Sequence, residues 1–308
     1  MEGLRIEGLR KRYGAVTALD GIDLTVAPGT VFGFLGPNGA GKTTTLRILA
    51  GLARPTGGRA WVAGAPVGPE SPARARLGYL PEEPRFYGWM TPHECLARYA
   101  GGLFGLPRAE SESRAGELLE RVGLAEVARR RIAGFSRGMR QRLGLAQALI
   151  NRPAVLLLDE PVSALDPAGR RDMLELIGGL GRRATVFMST HILDDVERIC
   201  DTIGVLHRGR LVTVEERRAL LERHAPPAVE IEFEAPAEAV AAWAAQLREI
   251  PGLAPGTASG GQVRVALDGS ARAHLELQQR VLGAGMIVRR FESVHPTLED
   301  VFLRLVEG

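Results

Sequence analysis

The segment that most restricts the fold of this chain is Gly36-Pro37-Asn38-Gly39-Ala40-Gly41-Lys42-Thr43, a complete match to the pattern G-x-x-x-x-G-K-[ST]. The apolar run 29–35 before it predicts a short strand, and residues 43–50 after it predict a helix. Its three glycines permit backbone turns that a Cβ would block. The N–H groups of the loop and the positive N-terminus of the following helix can then point at the same bound anion. A strand, a glycine loop and a helix in this order predict a phosphate-binding loop.

Two residues of this loop carry more specific chemistry. Lys42 places a compact ammonium where the β- and γ-phosphates of a nucleotide would lie, and Thr43 offers a hydroxyl to Mg²⁺. A nucleotide and Mg²⁺ are therefore the expected ligands. A chance match of Gly-Lys-Thr after a strand is the alternative, and the flanking strand and helix argue against it.

A pair of acidic residues follows a second apolar run. Residues 155–158 have the length and composition of a buried parallel strand, and Asp159-Glu160 follows before Pro161. Asp159 can hold Mg²⁺ directly or through water, and Glu160 can polarise an attacking water. A solvated acidic pair at a strand end is the alternative interpretation.

A third apolar run, 184–188, delivers Ser189-Thr190-His191. A lone histidine is usually structural, but this one follows a predicted core strand at the edge where the other candidate ligands converge. We therefore expect His191 to reach the γ-phosphate.

Six motifs stand in one order along the chain, and each supplies a different part of phosphoryl transfer. They are the glycine loop, Tyr79-Leu80-Pro81-Glu82, Phe135-Ser136-Arg137-Gly138-Met139, Val155-Leu156-Leu157-Leu158-Asp159-Glu160, Ser163-Ala164-Leu165-Asp166 and Ser189-Thr190-His191. With this set, residues 1 to about 215 resemble the nucleotide-binding subunit of an ATP-binding cassette (ABC) transporter. The segment 135–142 is similar to the variant found in drug and antibiotic exporters, which favours export.

The resemblance implies that two copies bind Mg-ATP head to tail and hydrolyse it. The residues it assigns to catalysis are Glu160, His191 and Lys42. Those it assigns to Mg²⁺ are Thr43, Glu82 and Asp159. Those it assigns to the nucleotide are Tyr13, Gly36, Pro37, Asn38, Gly39, Ala40, Gly41, Lys42, Thr43, Thr44, Ser136, Gly138 and Asp166.

Several of these assignments involve the second copy. The resemblance implies that Ser136 and Gly138 of one copy contact the γ-phosphate bound by the other. A helix expected over 138–150 would add its N-terminus to that contact. Asp166 matches the loop that couples the two sites, and Tyr13 matches the aromatic that stacks on adenine. An ordinary packed tyrosine is the alternative for Tyr13.

Three positions depart from the family pattern. In the segment 135–139, which matches the family's signature segment, Arg137 replaces a glycine and Met139 replaces a glutamine. Ser136 and Gly138 stay in place, and side-chain contacts to the ribose are expected to differ. Glu82 stands where the family has a glutamine. An acid can still coordinate Mg²⁺ but cannot donate as an amide does, so metal affinity or communication with the partner is expected to differ.

The predicted fold class is α/β: a P-loop NTPase of the ABC ATPase type with a helical signature subdomain, followed by a small C-terminal α+β domain. A length of 308 residues suits two domains. We expect the nucleotide-binding domain at 1–214, with its helical subdomain at 85–150, and an accessory or regulatory domain at 215–308.

The C-terminal part shows alternating strands and helices. Residues 229–233, 263–267 and 286–291 predict strands, and 236–250, 271–282 and 296–306 predict helices. A weak strand signal at 252–259 would complete a β-α-β-β-α-β, ferredoxin-like outline. No catalytic cluster stands out here, and dimer contact, regulation and partner docking remain open as roles.

The segment 84–90, Pro-Arg-Phe-Tyr-Gly-Trp-Met, is unusually aromatic for a chain with 5% aromatic residues. In the family this region receives a short helix of the membrane subunit, and an aromatic rim suits such a dock. The alternative is that these side chains form the core of the subdomain.

The leading functional hypothesis is therefore an ATP-hydrolysing subunit that drives a separate transmembrane permease from the cytoplasmic face of the cell membrane. The simplest arrangement is a homodimer, and pairing with a sister cassette is the alternative. Export is favoured over import. No apolar run approaches the roughly 18 residues of a membrane span.

The alternatives are a soluble ABC ATPase acting on nucleic acid or ribosomes and a binding module without hydrolysis. A net charge of +3 is too small to favour nucleic acid, and Cys95 and Cys200 suit reduced thiols in a cytoplasm.

Overall fold

The computed structural model describes residues 3–68, 70–181, 183–224, 227–256, 258–294, 298–299 and 301–302. Its contacts divide the chain into two units, Met1–Arg217 and Arg218–Gly308. Among the described residues, the first unit has two sheets and the second has one, and each unit has its own cluster of buried apolar side chains.

The first unit alternates strands and helices after an opening pair of strands. In chain order its elements are β1 (Leu4–Tyr13), β2 (Val16–Val26), β3 (Val31–Leu35), α1 (Lys42–Leu49), β4 (Gly57–Val62), β5 (Ala65–Pro66), β6 (Leu77–Leu80), α2 (Pro92–Glu94), α3 (Gly101–Leu103), α4 (Arg108–Arg121), α5 (Arg137–Ala148), β7 (Val155–Asp159), α6 (Pro167–Leu180), β8 (Thr185–Thr190), α7 (Leu193–Ile199), β9 (Thr202–His207) and β10 (Arg210–Glu216).

The larger sheet has the strand order β10-β9-β3-β8-β7-β6. Strands β3, β7 and β8 are buried along their whole length, because helices and loops cover both faces of a parallel sheet. Phe32 of β3 stacks on Phe187 of β8 with ring centroids 5.1 Å apart. The five strands from β9 to β6 pair in parallel, whereas β10 runs antiparallel to β9 and closes one edge.

The register of the parallel strands brings their ends to one edge of the sheet. Leu35, at the end of β3, pairs with Thr190 of β8, and Asp159, at the end of β7, pairs with Ser189. The glycine loop, the acidic pair and the segment 189–191 therefore lie side by side. This is the edge where ligands bind in open α/β sheets.

A second sheet of the first unit has the order β2-β1-β4-β5 and is antiparallel. Its inner face supplies buried leucine, isoleucine and valine side chains to the same apolar cluster as α1 and β3. Tyr13 is the last residue of β1 and pairs with Val16 across the turn.

The segment between β6 and β7 is mostly helical. Thr91 begins α2 with a capping box, in which its hydroxyl accepts from the Glu94 N–H and the Glu94 carboxylate accepts from the Thr91 N–H. A π-helical stretch, Cys95–Ala100, joins α2 to α3, and α4 and α5 follow. The sequence pattern does not distinguish this π-helix from an α-helix.

Helix α8 (Arg217–His224) crosses the division between the units. The elements of the second unit are β11 (Ala228–Glu234), α9 (Ala237–Leu247), β12 (Leu253–Pro255), β13 (Gln262–Leu267), α10 (Ala271–Leu282) and β14 (Ile287–Val294). All neighbouring strands in the order β12-β13-β11-β14 are antiparallel. This arrangement confirms the predicted ferredoxin-like outline.

The second unit has a core of alternating strand positions covered by α9 and α10. Val229, Ile231 and Phe233 of β11 are buried, and the Phe233 ring meets Trp243 of α9 edge-on at 4.9 Å. Strand β12 has three residues, so it is shorter than the weak signal at 252–259, although the Gly256 N–H still donates to the Arg264 carbonyl oxygen of β13 at 2.8 Å. The helix expected over 296–306 lies mainly outside the described residues.

Two absences hold for the part of the chain that the structure describes. No helix there is long and apolar enough to span a bilayer. Both cysteines are unpaired and buried, and burial raises the pKa of the Cys95 thiol to about 11.

Candidate functional site

The path of the glycine loop depends on two of its glycines. A Cβ on Gly36 would lie 2.3 Å from the Leu206 carbonyl oxygen, and Gly41 has a φ of +110° with a Cβ position 2.6 Å from the Ala18 oxygen. Helix α1 starts at Lys42 with no side chain capping its N-terminus. Its first N–H groups are thus available to an anion.

Lys42 is held inside the loop. Its side chain is only 6% exposed, and Nζ donates to the carbonyl oxygens of Gly36, at 2.6 Å, and Pro37, at 3.3 Å. Burial lowers the pKa of Lys42, and the nearby carboxylates of Glu160 and Asp159 oppose that shift. A phosphate group would offset the cost of this buried charge.

Asp159 has one satisfied and one open carboxylate oxygen. Its Oδ1 accepts from the hydroxyls of Thr43, at 3.1 Å, and Ser189, at 2.6 Å, while the buried Oδ2 has no hydrogen-bond partner among the described residues. A buried oxygen left open beside a threonine hydroxyl fits Mg²⁺, which prefers oxygen ligands. The described residues contain no cluster of three His, Cys, Asp or Glu for a metal, so water and phosphate oxygens would complete the shell.

Glu160 is fixed by its backbone and approached by two side chains. Its φ of +48° is a left-handed conformation that is uncommon outside glycine, and its N–H bonds to the Ser189 carbonyl at 3.1 Å. Its Oε1 lies 3.7 Å from Lys42 Nζ, and both carboxylate oxygens lie 3.0 Å from His191 Nδ1. The buried carboxylate therefore sits between the loop lysine and the histidine.

Lys42, Glu160 and His191 line one cavity of about 350 Å³, and Asp159 lies outside its lining. Its lining residues are Ala18, Pro37, Asn38, Gly39, Gly41, Lys42, Thr43, Thr44, Glu82, Glu160, Ser163 and His191. The volume and the polar lining suit a phosphorylated ligand of small-molecule size.

The signature segment lies outside that lining. Ser136 is exposed and caps α5, its hydroxyl accepting from the Met139 N–H at 3.1 Å. The helix begins at Arg137, one residue before the predicted start. A Cβ on Gly138 would come within 3.1 Å of Leu165 Cδ2, so this glycine permits close packing on the loop that leads to Asp166.

Asp166 and Arg137 have local partners. Asp166 caps α6, its Oδ1 accepting from the Gly169 N–H at 2.8 Å, and is absent from the cavity lining. The exposed Arg137 lies 3.8 Å from Glu83. The arginine that replaces the family's glycine thus faces the residue after Glu82.

Tyr13 presents an open ring at the surface. Its side chain is 49% exposed, and Lys11 Nζ lies 4.6 Å from the ring centroid. Lys11 is itself held by the Arg54 carbonyl oxygen, at 2.7 Å. Tyr13 does not line the cavity, and its exposure excludes a role as an ordinary core tyrosine.

The aromatic segment 84–90 is also exposed at its centre. Tyr87 is 53% and Trp89 is 64% exposed, and their ring centroids lie 5.8 Å apart. Tyr99 meets Tyr87 edge-on at 5.6 Å. These side chains form a surface cluster, the aromatic patch, rather than the core of the helical segment.

Three residues around the site were not singled out from the sequence. Gln141, fully buried in α5, approaches the Glu160 carbonyl oxygen with Nε2 at 3.5 Å, and the Ser163 hydroxyl donates to the same oxygen at 3.1 Å. Ser189 supports both Asp159 and Glu160. The motifs containing Ser163 and Ser189 were noted, but only the folded structure shows where these hydroxyls point.

Two family models match the chain. The model described as ABC transporter matches residues 19–163, and the one described as ATP-binding protein DrrA1-3-like, C-terminal domain, matches residues 216–306. Together they cover parts of both units.

Individual proteins are similar over most of the chain. An uncharacterized ABC transporter ATP-binding protein, YxlF, of Bacillus subtilis (strain 168) is 39% identical over 305 residues, which are 99% of this chain and 100% of that protein. The daunorubicin resistance ATP-binding protein DrrA2 of Streptomyces coeruleorubidus is 36% identical over 304 residues, 98% of this chain and 94% of that protein. A solved structure described as the ATP binding subunit of an ABC transporter superposes with a TM-score of 0.65 at 32% identity, covering 71% of this chain and 92% of that one.

Proposed function

The chain belongs to the ABC transporter family and is an ABC-type ATP hydrolase, and we propose that it energises a separate membrane permease for export. Two copies would bind Mg-ATP head to tail, close on it and separate after hydrolysis. Each predicted domain would have its own role. Residues 1–214 would bind and hydrolyse ATP, with the helical subdomain 85–150 contacting the second copy and the permease, and residues 215–308 would have an accessory or regulatory role.

The observation that carries this proposal is the position of Glu160. Its buried carboxylate lies within 3.7 Å of Lys42 Nζ and 3.0 Å of His191 Nδ1, in a cavity lined by the glycine loop. A base beside the groups that bind a γ-phosphate is the arrangement that hydrolysis requires, since phosphoryl transfer depends on positioning and electrostatics. A module that only binds nucleotide has no need of this buried base.

The residues of the site would divide the work as follows. The loop N–H groups and Lys42 hold the β- and γ-phosphates, and Glu160 orients the attacking water and accepts its proton. His191 contacts the γ-phosphate and, through its hydrogen bond, fixes the Glu160 carboxylate. Thr43 and Asp159 hold Mg²⁺, with Glu82 at the cavity edge, and Mg²⁺ when bound neutralises charge on the phosphates.

The second copy is proposed because the signature residues do not reach the cavity of their own chain. Ser136 and Gly138 lie at the start of α5 and outside the cavity lining, and the exposed serine is free to meet another surface. A helix N-terminus with a hydroxyl suits an anion. These residues would therefore cover the ATP held by the second copy, with Asp166 in the same interface.

Tyr13 would complete the nucleotide site by stacking on adenine. The Lys11 ammonium lies over one face of the Tyr13 ring, and the rest of the exposed ring surface is available to stack on a base. Aromatic stacking of this kind tolerates partial solvent exposure.

The membrane partner would dock on the aromatic patch. An exposed cluster of tyrosine and tryptophan has the composition of protein interfaces. Export is proposed because DrrA2, which is similar over nearly the whole chain, is a daunorubicin resistance protein. The chain would then work at the cytoplasmic face of the cell membrane.

The test is affinity purification of the tagged full chain from its native cells in mild detergent, followed by identification of co-purifying proteins. Recovery of one multi-helix membrane protein in stoichiometric amount supports the proposal, and the sequence of that protein narrows the cargo. Recovery of ribosomes or nucleic acid instead, from material with ATPase activity, would contradict it.

A further inference from the structure

Two ion pairs join helices α6 and α7 of the first unit. In one, Arg170 Nε donates to Asp195 Oδ1 at 2.7 Å; the Asp195 side chain is only 1% exposed and the Arg170 side chain is 30% exposed. This pair is called the buried pair below, after its carboxylate. In the other, Arg198 lies 2.9 Å from Glu175, and both side chains are substantially exposed. The pairs share the same two helices but differ in burial.

The buried pair lies one helical turn from two loops of the site. Asp166 caps α6, and the Arg170 N–H donates to the Asp166 carbonyl oxygen at 2.8 Å in the first turn. His191 lies two positions before the start of α7 at Leu193, and Asp195 lies in the first turn of that helix. Each charged residue thus follows a site residue by four positions, and the pair connects the two loops.

Stability alone gives a weak reason for this buried pair. Asp195 Oδ2 has no hydrogen-bond partner among the described residues, although it is buried. Burial raises the pKa of Asp195, and Arg170 opposes that shift. Replacing an ion pair that contains a buried carboxylate by apolar residues of similar size is often neutral or stabilising, and here one oxygen of the carboxylate is also unbonded.

We propose that the Arg170–Asp195 pair is a positioning device that couples the two ATP sites of the dimer. His191 contacts the γ-phosphate of its own site, whereas Asp166 belongs to the interface with the other copy. A displacement of His191 on ATP binding or phosphate release is transmitted through α7, the ion pair and α6 to Asp166. The inference rests on the proposed function, and it assigns Arg170 and Asp195 as positioning residues, not catalytic ones.

The test compares two double variants of the full-length chain. Arg170→Met with Asp195→Leu removes the buried carboxylate together with its partly exposed arginine partner and keeps an apolar contact, so no buried charge is left unpaired. Glu175→Gln with Arg198→Gln removes the exposed pair between the same helices and is the matched control. ATP hydrolysis is measured against ATP concentration, Mg-ATP affinity by calorimetry, and folding by thermal unfolding.

We expect the buried-pair variant to bind Mg-ATP within about twofold of the wild-type affinity but to lose cooperativity. Its Hill coefficient should fall toward 1, and its maximal rate should fall by about three- to thirtyfold. This range corresponds to the change in coupling between two sites that is typical when a residue touching neither ligand is replaced. The exposed-pair control should keep both values. Asp195→Asn, which preserves the shape of the side chain, should lower the Hill coefficient and the maximal rate as well. It replaces the double variant in the test if that variant does not fold.

A Hill coefficient and maximal rate equal to those of the control would overturn the inference, as would a loss of rate that follows thermal stability alone. Failure of the proposed dimer, on which the inference rests, has a different signature, since the wild-type chain would then hydrolyse ATP without cooperativity. Failure of the export role would appear in the co-purification experiment and would leave this comparison of variants unchanged.

Discussion

His191 Nδ1 lies 3.0 Å from both carboxylate oxygens of Glu160, whose Oε1 also lies 3.7 Å from Lys42 Nζ. Three motifs that are far apart in the sequence therefore converge on one buried carboxylate. Because Nδ1 is equally distant from both oxygens, a proton on Nδ1 would hold the Glu160 carboxylate in one direction. This geometry supports Glu160 as the group that orients and deprotonates water.

Replacing Lys42 with Met should weaken Mg-ATP binding by about 10- to 100-fold, because a charged hydrogen-bonding group contributes about 1.5–3 kcal/mol. Calorimetric titration measures the change. Arg108→Met removes a positive charge from an exposed helix position and serves as the control, which should bind normally. Equal affinities of the two variants would contradict the assignment of Lys42.

Asp159→Asn should raise the Mg²⁺ concentration needed for half-maximal hydrolysis by about tenfold or more. The substitution makes the side chain neutral and turns one of its two oxygens into an NH₂ group, so the unbonded Oδ2 position no longer offers a charged oxygen to Mg²⁺. Ser189→Ala removes the 2.6 Å hydrogen bond but keeps the carboxylate, so its effect should be smaller. The measurement is ATPase activity across a Mg²⁺ titration at fixed ATP. An unchanged requirement in Asp159→Asn would place the metal elsewhere.

Gly41→Ala should destabilise the chain more than Gly39→Ala. Both glycines have positive φ, which costs about 1–2 kcal/mol for an alanine, but only at Gly41 does the new Cβ collide with the Ala18 oxygen and the Leu19 side chain. The collision adds about 1–3 kcal/mol. Thermal unfolding midpoints of the two variants check the order, and equal midpoints would contradict the close packing of the loop on residues 18–19.

Trp89→Ala should reduce recovery of the membrane partner by about tenfold or more, because an interface tryptophan commonly contributes 2 kcal/mol or more. Mg-ATP affinity should stay within about twofold. Val212→Ala, at an exposed position on β10, is the control and should affect neither. A parallel loss of partner binding and ATP affinity, or no loss of either, would count against docking on the aromatic patch.

The sequence predicted the parts of the fold that depend on local periodicity and backbone chemistry. The apolar runs before the glycine loop and before Asp159 correspond to β3 and β7, and the helix expected over 271–282 is α10. Parallel pairing then brings Lys42, Asp159 and His191 to one edge, because strands of similar length end together. The roles of these residues in binding and catalysis stay predictions.

Other features depend on tertiary contacts that no local pattern encodes. The approach of buried Gln141 to the Glu160 carbonyl oxygen and the Arg170–Asp195 ion pair join elements that are distant in sequence. The positive φ of Glu160 is not a preference of glutamate, and it occurs together with two hydrogen bonds from the Glu160 N–H to Ser189. The sequence also gave no signal for the π-helix at 95–100 or for the antiparallel direction of β10.

The most direct test of the account is the rate of ATP hydrolysis by Glu160→Gln at saturating Mg-ATP, measured with the affinity of the same variant for Mg-ATP. We predict a rate at least about 100-fold below wild type, since a positioned base contributes two to four orders of magnitude, with affinity kept within about twofold and an ATP-stabilised dimer detectable by light scattering. Hydrolysis at the wild-type rate would contradict the central claim that Glu160 activates the attacking water.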